Sequence, residues 1–266
     1  MSEHTISEDT ALCDALTALA IKAGAEIMSI YESDFVVEKK ADASLVTEAD
    51  KRAEKIILAG LRDIAPDIPV LAEEAASEGH IPTLGDQFFL VDPLDGTREF
   101  VNRTGEFTVN IALIRNARPA LGVVYTPVTG KLYAGVVGGG AWRIDVDKAG
   151  AVTGKCDINA APVPAKGLIA VASRSHRSPE TDAYLETLDV ADFAAAGSSL
   201  KFCLIAEGAA HLYPRFGRTM EWDTGAGQAV LEAAGGKVCV HPSGEPLGYN
   251  KKARGFDNPY FIASGS

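Results

Sequence analysis

The segment Phe88 to Thr97 constrains the fold more than any other part of the chain, because an apolar run ends there in two acidic residues. Phe88 to Val91 predict a buried strand, and Pro93 is expected to end its ladder of backbone hydrogen bonds. Asp92 and Asp95 repel each other at the end of a strand unless a hard cation lies between them, and carboxylate oxygens suit magnesium or calcium. A plain turn built on Asp-Pro and Asp-Gly is the alternative interpretation.

The composition predicts a sizeable globular protein. Of the 266 residues, 47% are hydrophobic and 23% are charged, so the chain can bury one large domain or two layers that share a core. No apolar stretch reaches the roughly 18 residues of a membrane span. The first residues lack the basic and apolar regions of a signal peptide, so we expect a cytoplasmic protein. Whether it also contacts the inner face of a membrane stays open.

Charge and cysteine spacing exclude several classes of function. The net charge is −11 and there is no basic tract, so we expect no nucleic-acid partner. The four cysteines lie far apart, which argues against a zinc site or a disulfide framework and favours reduced thiols. A small anionic substrate is compatible with this charge if bound cations reverse the local field.

Periodicity predicts two helices, an antiparallel meander and an alternating second half. Helical spacing covers residues 9–31, and Thr47 to Asp50 match a capping box that begins a second helix ending near residue 64. Strand-like runs follow at 107–114, 121–125, 131–137 and 141–144, and residues 146–166 are predicted to be a seam. We therefore expect a half from 1 to 150 with a large sheet and a metal site, and a half from 151 to 266 that closes the active site.

Acidic residues recur at the ends of the predicted elements, namely Asp50, Glu73, Asp92, Asp95 and Asp223. Each has a simpler explanation when taken alone. Asp50 closes its capping box, Glu73 belongs to a solvated pair with Glu74, and Asp223 is a helix N-cap. Taken together, the acids favour a shared cation site.

These acids and their neighbours resemble the inositol monophosphatase family of magnesium-dependent phosphatases. The matching pieces, in order, are Glu73-Glu74, Val91-Asp92-Pro93-Leu94-Asp95-Gly96-Thr97, Trp222-Asp223-Thr224-Gly225-Ala226-Gly227 and Ala233-Ala234-Gly235-Gly236. The resemblance covers about residues 10–263. It implies an α/β (α+β) fold, a layered αβαβα sandwich with the active site between its halves.

The resemblance also implies a role for each residue. The implied ligands of two or three Mg²⁺ ions are Glu73, Asp92, Asp95 and Asp223, with the carbonyl oxygen of Leu94. Thr97, helped by Asp50, activates the attacking water. Two magnesium ions about 4 Å apart can stabilise both the attacking and the leaving oxygen. The N–H groups of Gly96 and Thr97 can bind a phosphate oxygen if they begin a helix.

Within this family the chain resembles the 3′(2′),5′-bisphosphate nucleotidases, which hydrolyse 3′-phosphoadenosine 5′-phosphate to AMP and phosphate and serve sulfate assimilation. The sequence segments that carry this resemblance are residues 95–100, 105–112, 173–176, 197–203 and 212–217. The implied substrate-binding residues are Glu73, Leu94, Asp95, Gly96, Thr97, His176, Ser198, Lys201, Arg215 and Asp223. Lys201 and Arg215 would bind the 5′-phosphate, because a second phosphate needs its own cations. Inhibition by lithium is a further property that the family implies.

Several alternatives stay open. His176 is otherwise a loop histidine, Lys201 a solvated helix residue and Arg215 a surface charge. Inositol 1-phosphate and histidinol phosphate are rival substrates on the same scaffold. A rival of another class is a regulatory binding protein without catalysis. The oligomeric state, monomer or homodimer, is not predicted. Arg98 stands where related enzymes often carry lysine, which leaves the fine substrate preference open.

Overall fold

The computed structural model describes residues 3–34, 36–39, 45–172 and 178–266. Its helices are α1 (Glu3–Tyr31), α2 (Glu48–Ile64), α3 (Glu73–Ser77), α4 (Thr97–Val101), α5 (Pro179–Glu186), α6 (Leu200–Ala206) and α7 (Gly225–Ala233), with a 3-10 turn at Lys252–Arg254. No helix in this part of the chain combines the length and the apolar character that crossing a bilayer requires.

The strands form one small sheet and two large ones. The small sheet pairs β1 (Val37–Lys39) with β2 (Leu45–Thr47). The seven-stranded sheet runs in chain order through β3 (Val70–Ala72), β4 (Gln87–Asp95), β5 (Thr108–Arg115), β6 (Arg118–Thr126), β7 (Lys131–Val136), β8 (Gly140–Val146) and β9 (Val152–Ile158). The five-stranded sheet is built from β10 (Leu168–Ala172), β11 (Val190–Ala195), β12 (Leu212–Arg215), β13 (Lys237–Val240) and β14 (Phe261–Ser264), in the spatial order β11-β10-β12-β14-β13.

Strand β4 is apolar from Phe88 to Val91 because both faces of this stretch are buried. Phe89 and Val91 belong to the core that α1 and α2 cover, whereas Phe88 and Leu90 belong to the core on the opposite face of the sheet. Alternate side chains of a strand point to opposite faces, so one continuous apolar run supplies both cores. From β4 to β9 each strand pairs antiparallel with the next, which confirms the predicted meander.

The capping box predicted at the start of α2 is confirmed. The Thr47 hydroxyl accepts a hydrogen bond from the Ala49 N–H at 3.1 Å, and the Asp50 carboxylate accepts one from the Thr47 N–H at 2.8 Å. These reciprocal bonds satisfy N–H groups that have no partner within the helix. They also fix the first turn of α2, which carries Asp50.

Helices α6 and α7 form the middle layer between the two large sheets. Gly122 of β6 lets α7 approach closely, because a Cβ added there would lie 2.7 Å from the carbonyl oxygen of Ala226. Helix α5 packs on the outer face of the five-stranded sheet, with Leu185 against Leu168 and Leu212. The layers therefore follow the order helix, sheet, helix, sheet, helix, and the predicted αβαβα sandwich is confirmed.

Two local predictions are wrong. The seam expected at 146–166 contains β9, which pairs with β8 and extends the first large sheet to Ile158. This edge strand is mostly exposed, so it lacks the apolar alternation that reveals a strand.

Pro93 was expected to end its ladder, but β4 continues to Asp95. There Pro93 and Leu94 together stand opposite one residue of β5, because Asp92 pairs with Asn110 and Asp95 with Thr108. Pro93 thus lies in a bulge, where its missing N–H costs no ladder bond.

Candidate active site

The candidate site lies where several element ends meet. Asp92 and Asp95 come from the end of β4, Glu73 begins α3, Asp50 lies in the first turn of α2, and Asp223 precedes α7. Asp92 interacts electrostatically with Glu73, Asp95 and Asp223, and Asp50 interacts with Glu73. The structure thus brings together all of the acids that the sequence singled out.

Burial and mutual repulsion make this cluster electrostatically unfavourable without a counter-charge. Asp92 is 2% exposed, and burial, together with Glu73 and Asp95, raises the pKa of its carboxyl well above the usual range. Burial also raises the pKa of Asp223 well above the usual range, with added repulsion from Asp95 and Glu73. For Asp95, burial raises the pKa to about 6, although the charge of Lys201 opposes the shift. Burial and mutual repulsion favour the protonated forms of these carboxyl groups, and a bound cation would favour the ionised forms instead.

The donor chemistry fits a hard divalent cation. The carboxyl groups of Glu73 and Asp92 share a hydrogen bond, so their oxygens lie close enough for one ion to replace the shared proton. No group of three histidine, cysteine, aspartate or glutamate side chains within the described ranges forms a compact metal cluster. Magnesium usually keeps several waters, so a few carboxylate oxygens would be enough to hold it.

The two carboxylate oxygens of Asp50 have different hydrogen-bond partners, Thr47 and Thr97. The Thr47 N–H and hydroxyl donate to Oδ2 at 2.8 and 2.7 Å, whereas the Thr97 hydroxyl lies 3.2 Å from Oδ1. Asp50 is 1% exposed, and burial raises the pKa of its carboxyl to about 6 despite the hydrogen bonds from Thr47. Asp50 can therefore close the capping box of α2 and contact the Thr97 hydroxyl at the same time.

Gly96 directly follows β4 and lies against Ser198, which belongs to the second half of the chain. It adopts φ 96° as the N-cap of α4, so the N–H groups of Gly96 and Thr97 do stand at the start of a short helix. Any Cβ at Gly96 would collide with the hydroxyl of Ser198. That hydroxyl lies 2.7 Å from the carbonyl oxygen of Asp95 and 2.8 Å from that of Glu106. Ser198, predicted to contact substrate, therefore holds the backbone beside the acids.

A cavity of about 230 Å³ opens beside the acids. Its lining includes Asp95, Gly96, Ser198, Lys201, Arg215 and Asp223. Lys201 is 6% exposed and its ammonium donates to the Ser198 carbonyl oxygen at 3.0 Å, so the solvated-helix interpretation is wrong. Arg215 ends β12, and its buried Nε has no hydrogen-bond partner among the described residues. His176 lies outside the described residues.

Comparisons with known proteins show the family of this chain. A sequence profile of the inositol monophosphatase family matches residues 8–260. The chain belongs to the inositol monophosphatase family. It is 46% identical over 256 residues to the 3′(2′),5′-bisphosphate nucleotidase CysQ of Shigella flexneri, with 95% of this chain and 99% of that protein covered. It is also similar to the crystal structure of CysQ from Bacteroides thetaiotaomicron, described as a bacterial member of the same family. That structure has 41% identity, a TM-score of 0.78, and coverage of 95% of this chain and 97% of that one.

This member of the inositol monophosphatase family also has polar contacts that the sequence did not reveal. The buried Ser199 hydroxyl donates to the Asp223 carbonyl oxygen at 2.7 Å and accepts from the Asn110 amide at 3.0 Å. Asn110 lies 3.5 Å from the carboxylate of Asp95 as well. A polar residue inside the apolar run of β5 was the available signal for Asn110. Ser199 had none beyond its place in a Gly-Ser-Ser string.

The loop that carries Asp223 is held by hydrogen bonds of its own. The Asp223 carboxylate accepts from the Met220 N–H at 2.8 Å, and the N-cap of α7 is Thr224, so the N-cap interpretation of Asp223 is wrong. The Asn258 amide donates to the Met220 carbonyl oxygen at 2.7 Å and to the Thr224 hydroxyl at 3.1 Å. These contacts fix the backbone on both sides of Asp223.

Proposed function

We propose that the chain is a magnesium-dependent phosphomonoesterase that hydrolyses 3′-phosphoadenosine 5′-phosphate to AMP and phosphate. The observation that carries the proposal is a cavity whose lining combines Asp95 and Asp223 with Lys201 and Arg215. A substrate with two phosphates needs one cationic site for each phosphate. The Shigella flexneri relative, of which 99% is covered, is named a 3′(2′),5′-bisphosphate nucleotidase, and that name supports a substrate of this class.

The proposed ligands of two or three Mg²⁺ ions are Glu73, Asp92, Asp95 and Asp223, with the Leu94 carbonyl oxygen. When bound, such ions supply the positive charge that holds the scissile phosphate and offsets its developing negative charge. The acids of the chain contribute by being fixed on rigid elements before the ions arrive. The bulge in β4 and the hydrogen-bonded loop at Asp223 hold three of them.

Thr97 and Asp50 are the proposed proton-handling pair. The Thr97 hydroxyl orients the attacking water, and Asp50 Oδ1, 3.2 Å from that hydroxyl, takes up the proton. A general base works best when its pKa lies near the working pH, and the pKa of Asp50 is raised to about 6. The hydrogen bonds from Thr47 keep the carboxylate from rotating away.

Lys201 and Arg215 are proposed to bind the 5′-phosphate. The unpaired Nε of Arg215 is an N–H donor that a phosphate oxygen can satisfy, and buried donors without a partner are costly. Ser198 and His176 complete the proposed nucleotide contacts. The proposed setting is the cytoplasm, in keeping with four free cysteines.

Phosphate release by the purified protein tests this function. The substrates are 3′-phosphoadenosine 5′-phosphate, inositol 1-phosphate and histidinol phosphate, with adenosine 3′-phosphate as the matched compound that lacks the second phosphate. Each is assayed across a magnesium titration, with a chelator as control. We expect the bisphosphate to give the highest kcat/KM. Preference for a monophosphate would favour a rival phosphatase, and no release from any substrate would favour a regulatory binding protein.

A further inference from the structure

Glu54 is a buried carboxylate next to the acidic cluster, to which neither the sequence motifs nor the proposed chemistry gives a role. It lies on α2 one turn after Asp50 and is 5% exposed. Its Oε2 accepts a hydrogen bond from the Glu74 N–H at 2.7 Å, and its Oε1 accepts one from the Ala75 N–H at 2.9 Å. Both oxygens are therefore directed at the backbone of α3.

Helix α3 depends on this contact because it has no cap of its own. Its N-cap residue is Ala72, which makes no side-chain capping bond, and the helix is only five residues long. The first N–H groups of a helix have no intrahelical partner and normally receive one from a local serine, threonine or aspartate. Glu54 supplies that acceptor from a neighbouring helix.

The contact fixes the residue that begins α3. The peptide group between Glu73 and Glu74 carries one of the N–H groups that Glu54 binds, so the backbone of Glu73 is held relative to α2. The same face of α2 carries Asp50, whose carboxylate contacts Thr97. One helical turn thus sets the spacing between the proposed proton acceptor and the proposed metal ligand on α3.

We infer that Glu54 is a positioning residue for magnesium, acting through Glu73. The inference rests on the proposed metal ligands and concerns a residue outside them. A merely structural cap would contribute to thermal stability without changing how tightly the ion binds. A residue that orients a ligand changes the affinity for the metal, usually by 10–100-fold.

The test compares Mg²⁺ affinity in variants of the full chain, measured by the rise of Tm during a Mg²⁺ titration without substrate. Glu54→Gln keeps the shape but replaces one acceptor oxygen with an N–H donor that faces another donor. Glu54→Asp keeps the charge but shortens the side chain, so that it cannot reach both N–H groups. We expect each variant to bind Mg²⁺ about 10–100-fold more weakly. Turnover should approach that of the wild type at saturating Mg²⁺.

Ile57→Val is the matched control, because Ile57 is a buried residue of the same helix that does not cap α3. It should lower Tm and leave the Mg²⁺ affinity unchanged. Wild-type Mg²⁺ affinity in Glu54→Gln would overturn the inference and leave only a stabilising cap. Wild-type affinity in Glu54→Asp, with loss in Glu54→Gln, would overturn it in favour of a simple charge effect. A wild-type protein that binds Mg²⁺ but releases no phosphate would count against the proposed function alone.

Discussion

The hydroxyl of Thr97 lies 3.2 Å from Oδ1 of Asp50, across 47 positions of sequence. The other oxygen of Asp50 closes the capping box of α2, so the carboxylate cannot turn without breaking the start of its helix. A residue that would pass for an ordinary helix cap therefore also holds the side chain proposed to orient the nucleophile. Variants that remove one contact at a time can separate the two roles of Asp50.

Thr97→Ala and Asp50→Asn should each lower kcat, by about 10²–10⁴-fold if the two residues act as general-base machinery. Groups that work as one unit show strongly non-additive losses. The double variant should therefore be only slightly slower than the worse single variant. Steady-state kinetics at saturating Mg²⁺ provides the measurement, and fully multiplicative losses would mean that Asp50 serves only as a cap.

Asp95→Asn should reduce turnover by about 10²-fold or more, because it removes a proposed ligand whose ion offsets several kcal/mol of developing charge. The Mg²⁺-free protein should melt at the same or a higher temperature, since the substitution relieves repulsion among buried acids. Turnover and Tm are both measured across a Mg²⁺ titration. Wild-type turnover at low Mg²⁺ would contradict the metal assignment.

Arg215→Ala should lower kcat/KM for 3′-phosphoadenosine 5′-phosphate by about 10–150-fold, the loss of a charge-assisted hydrogen bond of about 1.5–3 kcal/mol. It should barely change kcat/KM for inositol 1-phosphate, which has no second phosphate. Lys201→Ala should show the same selectivity, though more weakly, because an ammonium is a point charge rather than a fork.

Arg218→Ala is the control for that comparison, since Arg218 is a more exposed arginine three residues away that pairs with Asp257 at 3.4 Å. It should affect both substrates equally and weakly. Equal large losses on both substrates in Arg215→Ala would show that Arg215 supports the fold or the metal site instead.

The Mg²⁺-free protein should lose stability as the pH rises from about 4 to about 6. The pKa values of Asp50 and Asp95 are raised to about 6 in the folded state. An unfolded aspartate has a pKa of about 3.9, so the folded state binds more protons in this window and stability falls with pH. Chemical denaturation at several pH values, with a chelator present, measures the slope. Saturating Mg²⁺ should flatten it, and stability that rises with pH in the chelated protein would contradict the prediction.

Sequence patterns predicted the features of this fold that depend on contacts between residues close in the chain. Thr47 and Asp50 correctly predicted the start of α2, because a capping box is a contact between residues close in sequence. Glu54 could not be found in that way, because its partners at Glu74 and Ala75 are backbone groups 20 and 21 positions away. Strand β9 was missed because its exposed residues carry no alternation, and its pairing with β8 is what defines it as a strand.

The bulge in β4 explains why the two acids of the opening segment are three positions apart. In a regular strand, residues separated by an odd number of positions point to opposite sides. Here two residues oppose one, so Asp92 and Asp95 pair with Asn110 and Thr108, which are two positions apart and share a side. The extra residue places Asp95 on the same side of the strand as Asp92, although an odd number of positions separates them. Without the bulge, the same three-position spacing would turn one of them toward the core beneath α1 and α2, although every acid in the sequence would still be present.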